Sequence, residues 1–328
     1  MANKNDRNRV LIYLKSEESP LSLDEIRQDA APGVPERTLR RWLTDWVESG
    51  VLLRTGVRRS TRYVSAPAKP ASPGFLETIK EEHHSTVLKQ LRDLWTHTST
   101  ALEGNTLSLG DTHFILEEGL TVSGKPLKDH EEVVGHARAI ELVYGVLGTH
   151  ITEEFIFDLH KAVQTERVID ICKPCGAWKN EANGTYVVTN DNQQTYIEYA
   201  LPREVPRLMK EIIEAINAVR SLTVADAAAC YAKIHAGIVH VHPFWDGNGR
   251  VARLLANIPL LKNSLPPLVI FPEKRRQYIE LLAAYEIGSG RLTGDTGVWP
   301  REELLEQFTT FCEDQYRATR ELLERYMF

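Results

Sequence analysis

The sequence predicts a mainly α-helical protein in two parts: a small winged helix-turn-helix unit over residues 1–65 and a larger helical body over 76–328 that carries one β-hairpin. Three observations predict this. The run "SAPAKPASPG" at 65–74 holds three prolines among small residues, which favours an extended connection and marks 66–75 as a linker. Before it, apolar residues at helical spacing give way to a short strand-turn-strand pattern. After it, helical periodicity is interrupted by a single stretch rich in β-branched and aromatic residues.

In the first part, Val10, Leu11 and Leu14 form a helical stripe, and Ser22 with Glu25 makes a capping box that opens a second short helix through Ile26. A turn at Pro32 and Gly33 precedes a third helix. Leu39, Trp42, Leu43, Trp46 and Val47 fall on one face of it, Pro35 suits its first turn and Gly50 its end. "VLLRTGVRRSTRYV" then reads as two short strands about Gly56. In such a unit the third helix enters the major groove, with Arg37, Arg40, Arg41 and Thr44 facing outward, and Arg54, Arg58, Arg59 and Arg62 bring positive charge to the wing. Duplex DNA is therefore one expected partner. A protein-docking module would carry the same pattern.

The charge supports two different surroundings. Residues 1–70 hold 13 Lys/Arg against 9 Asp/Glu, a net +4, so the rest of the chain carries −10 of the total −6. Helical patterns in the body cover the amphipathic "FLETIKEEHHSTVLKQLRDLW" and then roughly 110–165, 203–220, 225–240, 249–262, 274–287 and 301–326. The exception is "GTYVVTNDNQQTYIEY", where an Asn-Asp-Asn turn between β-branched and aromatic residues predicts a hairpin.

No run of about 18 apolar residues is present, and the polar start "MANKNDRNRV" lacks the pattern of a secretory signal, so no membrane partner and a cytoplasmic setting are expected. Of the four cysteines only Cys172 and Cys175 are close. One Cys-x-x-Cys is half a zinc site at best, and reduced thiols are the expectation.

The densest chemistry lies at 242–253, "HPFWDGNGRVAR". Gly247, Asn248 and Gly249 immediately precede a helical stretch, so unpaired backbone N–H groups and the helix dipole make an anion site there. No strand-helix alternation surrounds it, which argues against a dinucleotide-binding crossover. Arg250, Arg253 and Asn257, spaced by three and four, are expected on one side above the helix start, where two guanidiniums suit a chain of phosphates. Asp246 fits beside phosphates when a Mg²⁺ ion bridges them. His242 is the natural general base for a hydroxyl, and Phe244 is expected to pack inward and fix its loop. A metal cluster of His235, His240 and His242 is disfavoured, since spacings of five and two do not match a helical pair. Together these groups point to phosphoryl or nucleotidyl transfer from a nucleoside triphosphate.

The same twelve residues match position for position the signature of the Fic (filamentation induced by cAMP) family, and the chain from about 76 to 315 resembles a Fic domain with its extensions. The resemblance implies transfer of AMP from Mg-ATP to a Ser, Thr or Tyr hydroxyl of a target protein. It makes His242 the base, Asp246 the Mg²⁺ ligand, and Gly247, Asn248 and Gly249 the cradle of the α and β phosphates. Arg250 would steady the leaving phosphates, Arg253 the γ phosphate, and Asn257 would lie near the nucleoside. Upstream, "STALEGNTLSL" is similar to the family's inhibitory motif, here Ser99, Glu103 and Gly104 on a helix over about 96–104, whose glutamate pairs with the second motif arginine. An Arg253 paired to Glu103 cannot grip a γ phosphate.

The hairpin would be the flap that holds an extended target segment by strand addition, with Tyr186, Val187 and Val188 as clamping residues. Departures from the family pattern are Lys179, where an arginine commonly follows Gly176, the length of the hairpin, the Cys172/Cys175 pair, and Pro259 within the motif helix. Two alternatives stay open: hydrolysis of AMP from a modified protein with Glu103 aligning water, and a DNA-binding regulator that uses the fold as a nucleotide sensor. A homodimer is also kept open.

Overall fold

The chain divides into two units, residues 1–69 and 70–328. The computed structural model describes residues 4–17, 19–48, 51–56, 60–65, 73–165, 173–188 and 194–327. Most of the expected linker, Arg58, Arg59 and Cys172 lie outside the described residues.

The first unit places α1 (Lys4–Ser16), α2 (Leu23–Asp29) and α3 (Glu36–Glu48) before an antiparallel pair, β1 (Leu52–Thr55) and β2 (Arg62–Ser65), in the register Leu52 to Ser65 and Thr55 to Arg62. Leu21 adds an isolated bridge to Tyr63. Ser22 accepts from the Glu25 N–H while the Glu25 carboxylate accepts from the Ser22 N–H at 2.6 Å, the reciprocal cap the sequence predicts. The apolar stripes meet in one core of Val10, Leu14, Ile26, Leu39, Trp42, Leu43 and Trp46, closed by Leu52 and Tyr63.

The second unit is helical: α4 (His84–Ala101), α5 (Leu109–Glu118), α6 (Leu127–Gly145), α7 (Glu153–Val163), then a hairpin β3 (Gly184–Val188) and β4 (Gln194–Glu198), followed by α8 (Val205–Ala218), α9 (Ala227–Val241), α10 (Asn248–Leu255), α11 (Ile258–Lys262), α12 (Arg275–Ser289) and α13 (Glu306–Glu324). Helix α9 is the axis of this unit. It is rich in alanine and aliphatics, buries residues all round its circumference, and packs on α8, α10, α11, α12 and α13.

Several element boundaries differ from those the sequence predicts. The helix expected from residue 75 starts at His84, because Ile79 and Lys80 are extended and Ile79 bridges Met327; two 3₁₀ turns, Gly74–Thr78 and Glu81–His83, fill the interval. The tract at 110–165 is three helices, the first stopped by Gly119 in a left-handed conformation at φ 66°. The last helix starts at Glu306, after a 3₁₀ turn over Glu302–Leu305. As Pro259 leads one to expect, the motif helix is broken between Leu255 and Ile258. Among the described residues no helix is long and apolar enough to cross a membrane.

Candidate active site

Helix α9 ends at His242, which takes a left-handed conformation (φ 51°, ψ 60°) while its N–H still reaches the Ile238 carbonyl. A non-glycine residue held there costs on the order of 1–3 kcal/mol, and Pro243 prevents the helix from continuing. The loop that follows is closed from inside. Asn248 accepts from the Phe244 N–H and donates back to the Phe244 carbonyl, both at 2.9 Å, so one buried amide fixes both polar groups of that residue. The fully buried Phe244 ring lies flat on His160, centroids 3.8 Å apart and planes within 4°.

His160, on α7, was not legible as a site residue, and it holds the loop through both ring nitrogens. Its Nδ1 accepts from the Gly176 N–H at 2.8 Å, so Nε2 carries the proton and donates to the Asp246 carbonyl at 3.0 Å. Burial pushes its pKa down to about 4, which keeps the ring neutral. Gly247, at φ 79°, then turns the chain into α10. The first-turn N–H groups of α10 have no intrahelical acceptor and face the end of the loop.

The His242 ring is stacked on Tyr199 at 3.7 Å and 5°. Its Nδ1 lies 3.1 Å from the Val239 carbonyl. A carbonyl can only accept, so Nδ1 carries the hydrogen and Nε2 keeps its lone pair. Burial, helped by the nearby Lys179, lowers the His242 pKa to about 3. Lys179 itself is buried at 2% exposure, and desolvation lowers its pKa to about 7.

Two arginines stand over α10. Arg250 is buried, donates to the Val163 carbonyl at 2.8 Å, and lies 3.8 Å from Glu132 on α6 and 3.5 Å from the half-exposed Asp246 carboxylate. Arg253 is 3% exposed at its side chain and makes four hydrogen bonds: Nε to Ser99 Oγ (2.9 Å), one terminal nitrogen to Ser99 O (2.9 Å) and Glu103 Oε1 (2.7 Å), the other to the Tyr278 hydroxyl (3.2 Å). Burial opposes its charge, and Tyr278 and Glu103 outweigh that, holding the guanidinium protonated above its usual range.

Ser99 is buried near the end of α4, and Glu103 follows in the turn that ends at Gly104, φ 100°. The Glu103 carboxylate lies across the first turn of α10. A Cβ on Gly249 would come within 2.5 Å of Glu103 Oε1 and 3.0 Å of the Arg253 guanidinium, so this position admits only glycine while the pair is made. The turn is anchored on both sides. Arg275 donates to the Leu102 carbonyl at 2.7 Å, and Asn105 donates to Glu132 at 2.9 Å, the acid that faces Arg250.

Asn257 departs from the expectation that it would stand beside the arginines. It is fully buried, and its amide is consumed by backbone: Nδ2 donates to the Arg253 and Leu268 carbonyls at 3.0 and 2.9 Å, and Oδ1 accepts from the Leu268 N–H at 2.7 Å. Asn257 thus faces inward and ties the end of α10 to the chain at Leu268. His235 and His240 are also structural, bonded to the Tyr278 hydroxyl and the Gly290 carbonyl, and among the described residues no group of three metal-ligating side chains occurs.

On the hairpin, Tyr186 and Tyr196 face each other across the register with rings 4.9 Å apart, and both are exposed. Val187 turns the other way and packs with Ile197, Tyr199 and Ala283, so the face carrying Tyr186 is open and the face carrying Val187 is docked on α12. Val188 pairs through its backbone with Gln194. In the first unit Arg37, Arg40, Arg41 and Thr44 are exposed on α3, and Arg54 is exposed on β1; Arg40 is paired with Glu36 at 2.8 Å. Cys175, Cys230 and Cys312 are free thiols.

Residues 150–260, which contain His160 and the whole 242–253 loop, match the Fic/DOC family. The chain is 32% identical over 216 residues to "Protein adenylyltransferase fic-1" of Caenorhabditis elegans, covering 63% of this chain and 40% of that protein. It is 28% identical over 240 residues to "Protein adenylyltransferase Fic" of Drosophila persimilis, covering 69% and 44%. It thus spans less than half the length of these curated relatives. Among solved structures, a Fic-domain-containing signalling protein from Bacteroides thetaiotaomicron superimposes with a TM-score of 0.63 at 27% identity, covering 75% of this chain and 91% of the other. Residues 150–260 of this chain form a domain of the Fic/DOC family.

Proposed function

We propose that the chain is a protein adenylyltransferase, moving AMP from Mg-ATP to a Ser, Thr or Tyr hydroxyl of a target protein, and that Glu103 holds it off. The observation that carries this reading is the pairing of Arg253 with Glu103 across Gly249, directly over the anion-binding end of α10. The guanidinium that faces incoming phosphates is already occupied by an acid of the same chain.

In the active arrangement the α and β phosphates lie against the N–H groups of Asn248 and Gly249, Arg250 faces the leaving group, and Arg253, freed from Glu103, takes the γ phosphate. Asp246, a half-exposed carboxylate beside the anion site, is the residue that would hold a Mg²⁺ ion brought with ATP. Held there, such an ion would supply charge neutralisation for the leaving pyrophosphate. The target hydroxyl oxygen attacks the α phosphorus, the bond from that phosphorus to the bridging oxygen of pyrophosphate breaks, and the hydroxyl proton passes to His242 Nε2, the nitrogen left free by the Val239 carbonyl. The triphosphate charge beside the ring opposes the depression of its pKa and makes it a better base. The open face of the hairpin, with Tyr186 and Tyr196, receives the target segment.

The test is transfer of a tagged adenylyl group to protein. Glu103→Gly raises labelling above wild type and His242→Ala abolishes it; equal labelling in all three proteins would sink the proposal, and release of AMP from a pre-modified protein by wild type alone would favour the reverse reaction.

The first unit is read as a winged helix that binds duplex DNA, supported by the exposed Arg37, Arg40 and Arg41 on α3. Fluorescence anisotropy with labelled duplex checks it: Arg40→Ala with Arg41→Ala weakens binding while labelling is retained. Absence of duplex binding by the wild-type chain at low salt leaves a protein-docking module.

A further inference from the structure

The general base of the proposed reaction stands on a strained residue, and the strain is held from another part of the chain. Lys179 lies in the segment before β3. Its backbone N–H donates to the Pro243 carbonyl at 2.8 Å, and its Nζ donates to Asn183 Oδ1 at 2.6 Å and, at 3.4 Å, to the Val241 carbonyl. Those carbonyls belong to the residues immediately before and after His242. Asn183 continues the tether, donating to the Phe244 carbonyl at 3.2 Å. The Lys179 nitrogen also stands 5.9 Å from the centroid of the Tyr199 ring, whose plane is stacked on His242.

A lysine amine this buried normally sits beside an acid, because desolvating it is costly. No carboxylate among the described residues lies within salt-bridge distance of Lys179, and its listeners are carbonyl and amide oxygens of the catalytic loop and its tether. A carboxylate there would also face the imidazole and draw a proton onto it, whereas a lone amine keeps the ring neutral with Nε2 open.

We propose that Lys179 is a positioning residue for His242, gripping the peptide groups on both sides of it so that the histidine keeps its left-handed turn, its Nδ1 bond to Val239 and a free Nε2. This rests on the adenylyltransferase reading for its consequence in turnover and on geometry alone for its effect on the ring. The amine donates whether protonated or neutral, a guanidinium can reach the same oxygens, and a thioether cannot donate.

The experiment uses the full chain carrying Glu103→Gly, with Lys179 intact, Lys179→Met or Lys179→Arg, and Asn183→Ala as a milder cut in the same tether. Nitrogen-15 NMR of the imidazole reads the His242 tautomer, calorimetry the affinity for Mg-ATP, and labelling the turnover. Because misplacing a reacting group by about 1 Å costs on the order of a hundredfold, Lys179→Met is expected to lower kcat by about 10- to 100-fold while ATP affinity stays within about twofold, and Lys179→Arg to recover most of the loss. The single Nδ1–H tautomer becomes a mixture in Lys179→Met and shifts the same way in Asn183→Ala. An unchanged tautomer and kcat in a folded Lys179→Met protein overturn the proposal; if that variant melts below the assay temperature, an unchanged tautomer in Asn183→Ala does so. Absence of AMP transfer from every variant counts against the adenylyltransferase reading, while the NMR result still decides the role of Lys179.

Discussion

Removing the Glu103 carboxylate should tighten the binding of ATP, and the structure sets how much. Arg253 makes four hydrogen bonds, to Ser99 Oγ, Ser99 O, the Tyr278 hydroxyl and Glu103 Oε1. Only the last is to a charged acceptor, and only that acceptor, with its side chain 39% exposed, can leave without unpacking a helix. A hydrogen bond to a charged group contributes a net of about 1.5–3 kcal/mol, and the exposure of Glu103 places this one toward the low end, about 1.5–2 kcal/mol. If a γ phosphate must take the same guanidinium edge, Glu103→Ala raises Mg-ATP affinity by roughly 10- to 30-fold. Glu103→Gln, which keeps the bulk over Gly249 and an oxygen acceptor but loses the charge, should fall between. ADP has no γ phosphate, so its affinity should rise far less. Isothermal titration of both nucleotides into the three proteins is the assay. An equal gain for ADP and ATP, or no gain for either, would refute the competition between Glu103 and the γ phosphate for Arg253.

Two further outcomes follow from the same contacts. Alanine is favoured over glycine inside a helix by about 1 kcal/mol, yet Gly249→Ala should destabilise the protein, because its Cβ displaces Glu103 Oε1 from Arg253; in a Glu103→Ala background the cost should shrink, a coupling of about 0.5 kcal/mol or more in urea unfolding. Strict additivity would show that the two positions do not meet. His160 titrates near 6.5 when unfolded and about 4 when folded, so the folded state binds fewer protons between those values. Stability is therefore full above about pH 6.5 and falls by up to about 3 kcal/mol as the pH drops to 4. Because other buried histidines are shifted the same way, the part due to His160 is read as the difference in pH dependence between wild type and His160→Gln; parallel curves would contradict the reading.

The parts of this site that the sequence revealed are those whose chemistry is contiguous. His242, Asp246, the Gly-Asn-Gly turn and the two arginines are adjacent in the chain, and a turn followed by a helix start implies their arrangement without knowledge of the rest of the fold. Glu103 is legible only through the resemblance to the family's inhibitory motif, since 150 residues separate it from Arg253 and a lone Glu-Gly-Asn is ordinary turn chemistry. His160, Tyr199 and Tyr278 gave no signal at all. Each sits in an amphipathic or aromatic stretch indistinguishable from core, and its role arises from contacts across 25 to 86 residues. Asn257 shows the converse error. Helical spacing placed it with Arg250 and Arg253, but its amide is consumed by the backbone of Arg253 and Leu268, partners that spacing alone does not reveal.

The way Arg253 is held bears on how such a site is released. Its Ser99 and Tyr278 partners come from α4 and α12 and do not depend on Glu103, so the guanidinium is already oriented before any phosphate arrives. Orientation made in advance need not be created at the moment of binding, which is where flexible charged side chains lose most. Glu103, by contrast, projects from a turn whose backbone is pinned by Arg275 and Asn105. On the proposed reading, relief of inhibition needs only a rotation of the half-exposed Glu103 side chain, while α4 and the turn stay in place. A ligand or partner that merely gave the Glu103 carboxylate another cation would be enough, and it would leave the helix packing untouched. Protection of α4 amides from hydrogen exchange should accordingly be the same in wild type and Glu103→Ala, whereas a release that required α4 to unwind would show faster exchange between Trp95 and Leu102 in the variant.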